Sequence, residues 1–193
     1  VLRVYTRRGD AGETDLLYGV RLSKDHPAIR AIGAVDEAQA ALGLARAEAA
    51  EGSELWDLLV GIERDLWLVM GEIASQGGKP RISEARVSAE MISALEREID
   101  RRHPETLGRG FVLPGENRLA AALDFARAVV RRAEREVVSL SHGQSLTVAY
   151  LNRLSDLCWV LARSSEVEHR MAREGRGRSA ELKEDGGSGA SGS

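Results

Sequence analysis

Apolar residues recur every three or four positions in five stretches between residue 27 and about residue 173, and Gly, Ser and Pro gather at the breaks. That spacing lines one face of an α-helix, so the pattern predicts five amphipathic helices. The first runs from Pro27 to about Ala50, Ala-rich, with Ile32, Val35, Gln39 and Leu42 in step. Proline suits a first helical turn, where its missing N–H is no loss. Gly52 and Ser53 interrupt the pattern, and Ser53 is placed to cap the second helix. Its stripe is Leu55, Leu59, Ile62, Leu66, Val69 and Ile73, closed by Gly77, Gly78 and Pro80. Ser88 caps a third helix, with Val87 and Ile92 spaced as a hydrophobic staple. Ile92, Leu95 and Ile99 face inward, and Pro104 ends it. After a loop carrying FVLPGEN, a fourth helix runs from about Asn117 to Leu140. Its buried arc is Leu119, Ala122, Ala126, Val130, Ala133 and Val137. His142 and Gly143 make a turn, and a fifth helix is expected from about Ser145 to Arg173, with Leu151, Leu154, Cys158 and Leu161 inward.

One stripe per helix and short connections predict an all-α fold, a five-helix antiparallel bundle of ferritin-like type. No strands alternate with the helices, which argues against a Rossmann or P-loop sheet. Residues 1–24 lack a helical period and read as an ordered arm, residues 25–174 as the bundle, and residues 175–193, ending in Gly and Ser, as a disordered tail. The length of 193 residues fits one domain, with 43% apolar and 30% charged residues. A net charge of −3 does not mark the whole chain as a nucleic-acid or membrane-surface binder, so anion binding needs a local cluster. The single cysteine, Cys158, allows no intrachain disulfide, and its apolar surroundings make it a core residue. No apolar run is long enough to span a bilayer, and the start lacks a signal peptide's apolar core, so a cytoplasmic location is expected.

Several polar groups stand out from this frame. The arm segment TRRGDAGETD combines two glycines, two threonines and the cations Arg7 and Arg8, with Arg21 and Lys24 following. A polyphosphate is held by such a mixture of backbone N–H groups and cations, although a Gly-rich surface turn has the same composition. On the fourth helix Arg127, Arg131 and Glu134 fall within about 60° of one another at about 100° per residue. Arg132 and Arg135 extend the positive potential, and a solvated salt-bridged face is the alternative. Asn152, Asp156 and Arg163 share one stripe of the fifth helix by the same arithmetic. Asp36, mid-helix among small residues, calls for a partner, and an arginine of the fourth helix is the candidate. Glu166-x-x-His169 has the spacing of a carboxylate-bridged dimetal bundle, with Asp100-x-x-His103 a distant second copy. A full second copy and the two further glutamates such a site needs are not found, so a solvated helix end is the favoured reading.

TRRGDAGETDLLYG with Lys24, IGAVDE, FVLPGEN, FARAVVRRAER and YLNRLSDLCWVLAR occur in that order, and together they resemble the PduO-type ATP:cob(I)alamin adenosyltransferases. The resemblance covers roughly residues 4 to 165. It implies a cobalamin adenosyltransferase-like bundle assembled as a homotrimer, with sites between subunits. It implies transfer of the 5′-deoxyadenosyl group of ATP to cob(I)alamin, with release of triphosphate and with Mg²⁺ on the nucleotide. Thr6, Arg7, Gly9, Thr14 and Lys24 match the family's nucleotide contacts in the arm. Arg131, Arg132, Glu134 and Arg135 match those on helix four, and Asn152 the one on helix five. Asp36 and Arg127 match a salt bridge across the subunit interface that activity requires. Phe111 matches the aromatic residue beneath the corrin ring. Arg8 and Asp15 are counted with the nucleotide set but depart from the family's usual small or hydroxyl residue and Ser. Glu116-Asn117 and Trp159 depart from Gly-Ser and Phe. No resident metal site is expected, while a reductase and an adenosylcobalamin-dependent enzyme are the implied partners. A non-catalytic trimeric module binding nucleotide or corrinoid is the alternative.

Overall fold

The computed structural model describes residues 5–16, 20–75, 86–103, 111–140 and 146–172. Five helices carry the described chain: α1 (Pro27–Ala47), α2 (Glu54–Ser75), α3 (Ala89–Arg102), α4 (Arg118–Val138) and α5 (Leu146–Ser164). Pro27 opens α1, and His26 Nδ1 accepts from the Ala28 N–H at 3.1 Å. The helix closes at Ala47, three residues before the expected end, and Gly52 turns the chain at φ 73°. Ser53 Oγ then accepts from Trp56 N at 3.2 Å, and Ser88 Oγ from Met91 N at 3.4 Å, so both predicted caps are made. The expected breaks at Gly77, Gly78, Pro80 and Pro104, the turn at His142–Gly143 and the tail lie outside the described residues.

Alanines at positions 31, 34, 38, 41 and 45 bring α1 close to its neighbours. It packs on α2 and α4, α4 packs on α5, and α5 packs on α3. Leu59, Leu66, Leu123, Leu151, Leu154 and Leu161 fill the centre of one continuous core. Val87 is buried in it, and Ile92, half-buried, packs against the same core.

Two elements differ from expectation. The arm contains a short hairpin, β1 (Glu13–Asp15) and β2 (Arg21–Ser23), antiparallel with Thr14 opposite Leu22. Helix α5 ends at Ser164 rather than near Arg173. Ser164 Oγ and Ser165 Oγ both donate to the Leu161 carbonyl, at 3.1 and 2.7 Å. Two consecutive hydroxyls there compete with the helical ladder. The chain then runs on to Met171, which bridges antiparallel to Val112.

Candidate functional site

The arm is shaped by its backbone. Gly12 takes φ 83° and Arg7 φ 60°, a conformation in which Arg7 stacks over Tyr5 at 5.6 Å. Gly12 N donates to Gly9 O at 3.2 Å, and Lys24 N donates to Gly12 O at 2.8 Å. A Cβ on Gly9 would lie 3.1 Å from Lys24 Nζ and 3.3 Å from the Glu13 carbonyl oxygen, so only glycine fits without displacement. Thr6, Arg7, Gly9 and Lys24 are thus gathered around one turn, with Thr14 on the strand that leaves it. Arg21, outside the predicted set, organises the hairpin. Its guanidinium donates to Glu13 at 2.8 Å, to Asp15 at 3.1 Å and to the Arg8 carbonyl at 2.7 Å. The Asp15 carboxylate therefore faces a cation.

On the bundle, Asn152 Nδ2 donates to Glu134 Oε1 at 3.2 Å, joining α5 to α4, and Arg153 donates to Asn152 Oδ1 at 2.9 Å. Arg132 pairs with Glu37 of α1. Arg131 and Arg135 are exposed, and their guanidinium groups have no ion-pair partner among the described residues. Asp36 is likewise exposed and unpaired among the described residues. Arg127 donates instead to Asp124 Oδ1 at 3.3 Å within its own helix. No hydrogen bond or ion pair among the described residues joins residues 5–24 to α4.

Phe111 stands 87% exposed at the start of the FVLPGEN segment. Its position comes from the backbone: Ala172 N donates to Phe111 O at 2.7 Å, and Leu113 N to Arg170 O at 2.7 Å. The departure at Glu116-Asn117 has local work. Asn117 Oδ1 caps α4 through Ala120 N at 2.8 Å while its Nδ2 donates to Ser165 O at 2.7 Å. Glu116 pairs with Arg170 at 3.6 Å.

The stripe expected on α5 divides. Asn152 is half-buried, Asp156 is exposed beside Arg153 at 3.5 Å, and Arg163 is buried against Asp124 at 2.5 Å and Glu166 at 2.8 Å. Glu166 and His169 lie beyond the end of α5, so the helical spacing of Glu166-x-x-His169 is not realised, and Glu166 is enclosed rather than solvated. Sequence reasoning missed Asp124. Its only signal was the three-residue step to Arg127, common on exposed helices, and its burial depends on Arg163 arriving from α5. Among the described residues no three His, Cys, Asp or Glu side chains converge as a metal-ligating group. Asp100 and His103 line an open cavity of about 520 Å³ between α3 and α5 with Glu96, Arg153 and Trp159.

Residues 4–165 match the family model described as cobalamin adenosyltransferase. The corrinoid adenosyltransferase PduO of Salmonella typhimurium is 40% identical over 176 residues, which is 89% of this chain and 52% of that protein. A corrinoid adenosyltransferase of Citrobacter freundii is 38% identical over 172 residues, 86% of this chain and 96% of that protein. The chain thus spans about half the length of the Salmonella relative. Among solved structures, a variant of the PduO-type ATP:corrinoid adenosyltransferase from Lactobacillus reuteri, complexed with cobalamin and ATP, superimposes with a TM-score of 0.76. It is 26% identical, over 89% of this chain and 97% of that one.

Proposed function

This chain belongs to the cobalamin adenosyltransferase family, and we propose that it transfers the 5′-deoxyadenosyl group of ATP to the cobalt of cob(I)alamin, releasing triphosphate. One observation carries the reading. The side chains that match the family's nucleotide and corrinoid positions and have no side-chain partner among the described residues, Arg131, Arg135 and Phe111, stand at the surface. Cations and an aromatic ring left free in this way are open to a ligand.

The chemistry asks for positioning and charge neutralisation. The cobalt electron pair forms the bond to C5′ as the C5′–O bond breaks and its electrons leave with the triphosphate. C5′ must be held in line with cobalt. Thr6, Arg7, Gly9, Thr14 and Lys24, with Arg8 at the surface and Asp15 balanced by Arg21, form the arm side of the nucleotide site. Arg131, Arg132, Glu134, Arg135 and Asn152 form the helix side and stabilise charge growing on the leaving group. Mg²⁺ fits this donor set as a passenger on the phosphates, sharing that neutralisation, since it is commonly held through substrate phosphates and waters. Phe111 lies beneath the corrin, excluding water and a lower axial ligand, which makes cobalt easier to reduce to Co(I). No nucleophile or general base is required of the protein.

The two halves of the nucleotide set belong to different subunits in this reading, within a homotrimer whose interface pairs Asp36 with Arg127. Asp36, exposed and unpaired among the described residues, supports that arrangement. A reductase would supply Co(I), and an adenosylcobalamin-dependent enzyme would consume the product. No helix among the described residues is long and apolar enough to cross a membrane, and a cytoplasmic setting suits a chain whose one cysteine is buried and free.

The test is anaerobic. Protein, ATP, Mg²⁺ and chemically reduced cobalamin are mixed and the corrinoid absorbance followed. Protein-dependent growth of the adenosylcobalamin spectrum, matched by released triphosphate, is expected. ATP binding without that growth would leave a non-catalytic nucleotide-binding bundle.

A further inference from the structure

Asp124, Arg163 and Glu166 have side chains only 4%, 1% and 0% exposed. A single nitrogen, Arg163 Nη2, donates to Asp124 Oδ2 at 2.5 Å and to Glu166 Oε1 at 2.8 Å. Each carboxylate uses its second oxygen elsewhere. Asp124 Oδ1 accepts from Arg127 Nε at 3.3 Å, and Glu166 Oε2 meets His169 Nδ1 at 2.9 Å. An unbroken line of charged contacts therefore runs from Arg127 to the segment Ser165–Ala172. That segment lies along the FVLPGEN stretch and is joined to it by the Asn117–Ser165, Leu113–Arg170 and Ala172–Phe111 hydrogen bonds. A ring as exposed as that of Phe111 is not held in place by packing. Its position follows the strand that its backbone pairs with, and that strand is anchored in the interior through Glu166.

We infer that Arg163 and Glu166 are positioning residues that fix Phe111, through the segment Ser165–Ala172, in relation to Arg127. The inference deepens the adenosyl-transfer reading and rests on it for the catalytic consequence. Enclosed ion clusters contribute little net stability over an apolar filling of the same shape. What this cluster adds is direction, because Arg163 Nη2 holds one oxygen of each carboxylate at hydrogen-bond distance. The residues that meet the reacting atoms are Phe111 and the arginines of α4, so Arg163 and Glu166 act only through them.

The experiment compares Glu166→Gln, Phe111→Ala and the double variant in the full chain. Amide hydrogen exchange at Leu113 and Ala172, the two N–H groups of the bridge, should accelerate by about tenfold or more in Glu166→Gln, with the interior of α4 and α5 unchanged. The kcat of adenosylation should fall by about fivefold or more while KM for ATP stays within about twofold. In the Phe111→Ala background the same substitution should change kcat by less than about twofold, because the residue through which it acts is gone. Unaltered exchange at Leu113 and Ala172, exchange that accelerates equally throughout α4 and α5, or equal kcat effects in both backgrounds overturns the inference. His169→Ala, which removes only the outer contact to Glu166, should give the same pattern in weaker form. It decides the matter by the same criteria if Glu166→Gln does not fold. A wild-type chain that forms no adenosylcobalamin defeats the catalytic reading alone, and the exchange data still decide whether Glu166 fixes the segment.

Discussion

The Tyr150 hydroxyl donates to Asp65 Oδ2 at 2.9 Å, from a ring with no exposed surface. Burial pushes the Asp65 carboxyl above its ordinary value, with the tyrosine bond pulling the other way, and burial beside Asp65 pushes the Tyr150 phenol up. A carboxyl raised in the folded state holds its proton longer there than in the unfolded chain. Its contribution is therefore greatest below the unfolded value and falls as pH rises toward the raised one. Asp65→Asn keeps an acceptor without the charge, so its stability relative to wild type should climb across that window and reach wild type or better at pH 7. Asp65→Ala strands a buried hydroxyl and should lose about 1–3 kcal/mol. Denaturant melts of the three proteins between pH 3 and pH 7 check both signs, and an Asn variant that weakens as pH rises contradicts the assignment. Phe111 is the opposite case, an exposed apolar group that the proposed reading sets beneath the corrin. Phe111→Ala should leave ATP affinity within about twofold while slowing the cobalt step by about tenfold or more, since it removes contact with only one of the two substrates. Calorimetric ATP titration beside the corrinoid assay separates the two, and comparable loss of ATP binding refutes the assigned role. Cys158 was legible from its apolar neighbours and is fully buried, with burial pushing its thiol up to about 12.

Helices were legible where local chemistry and periodic burial agree. Pro27, Ser53 and Ser88 each sit where the apolar stripe begins, and each opens its helix as that coincidence requires. The end of α5 was hidden because no Gly or Pro marks it. Ser164 and Ser165 stop the helix by bonding back to Leu161, and Glu166 turns inward to a charge that only the packed structure supplies. The hairpin was hidden for a related reason. Its strands are three residues each, mostly polar, and no apolar alternation announces them. What joins them besides the backbone is Arg21, with Glu13, Asp15 and the Arg8 carbonyl around it. These pairs are exposed and individually weak, so Arg21→Ala should barely move the melting temperature. It should still weaken ATP binding several-fold, because the arm loses its shape and Asp15 is left uncompensated beside the phosphates. Thermal melting and ATP titration on the same sample check the split. A large drop in Tm, or unchanged affinity, counts against Arg21 as the organiser of the arm.

At the scale of the whole molecule, five stripes were enough to predict a five-helix bundle, because each stripe needs a neighbour and short connections leave few arrangements. A site assembled from two copies, as proposed, would be less legible, since partners on another copy leave no periodic trace in one sequence. Asp36 shows the consequence: a mid-helix carboxylate, exposed and unpaired among the described residues, on a helix that packs against α4. If Asp36 meets Arg127 of a neighbouring subunit in a closed ring, each interface takes one residue from each of two chains. Asp36→Ala and Arg127→Ala should then each abolish most adenosylation as pure proteins, because every interface is broken. Co-expressed in equal amounts with different tags, they should recover activity. An interface is intact when the chain giving Asp36 carries the Arg127 substitution and the chain giving Arg127 carries the other, which random mixing produces in about a quarter of interfaces. If both residues act within one chain, every protomer keeps its own defect and the mixture stays inactive. Purification on both tags keeps only mixed rings, and in the proposed trimer each of these holds one intact interface in three, so activity near about a third of wild type supports a site shared between subunits, and inactive assemblies place the whole of this pair's work inside a single bundle.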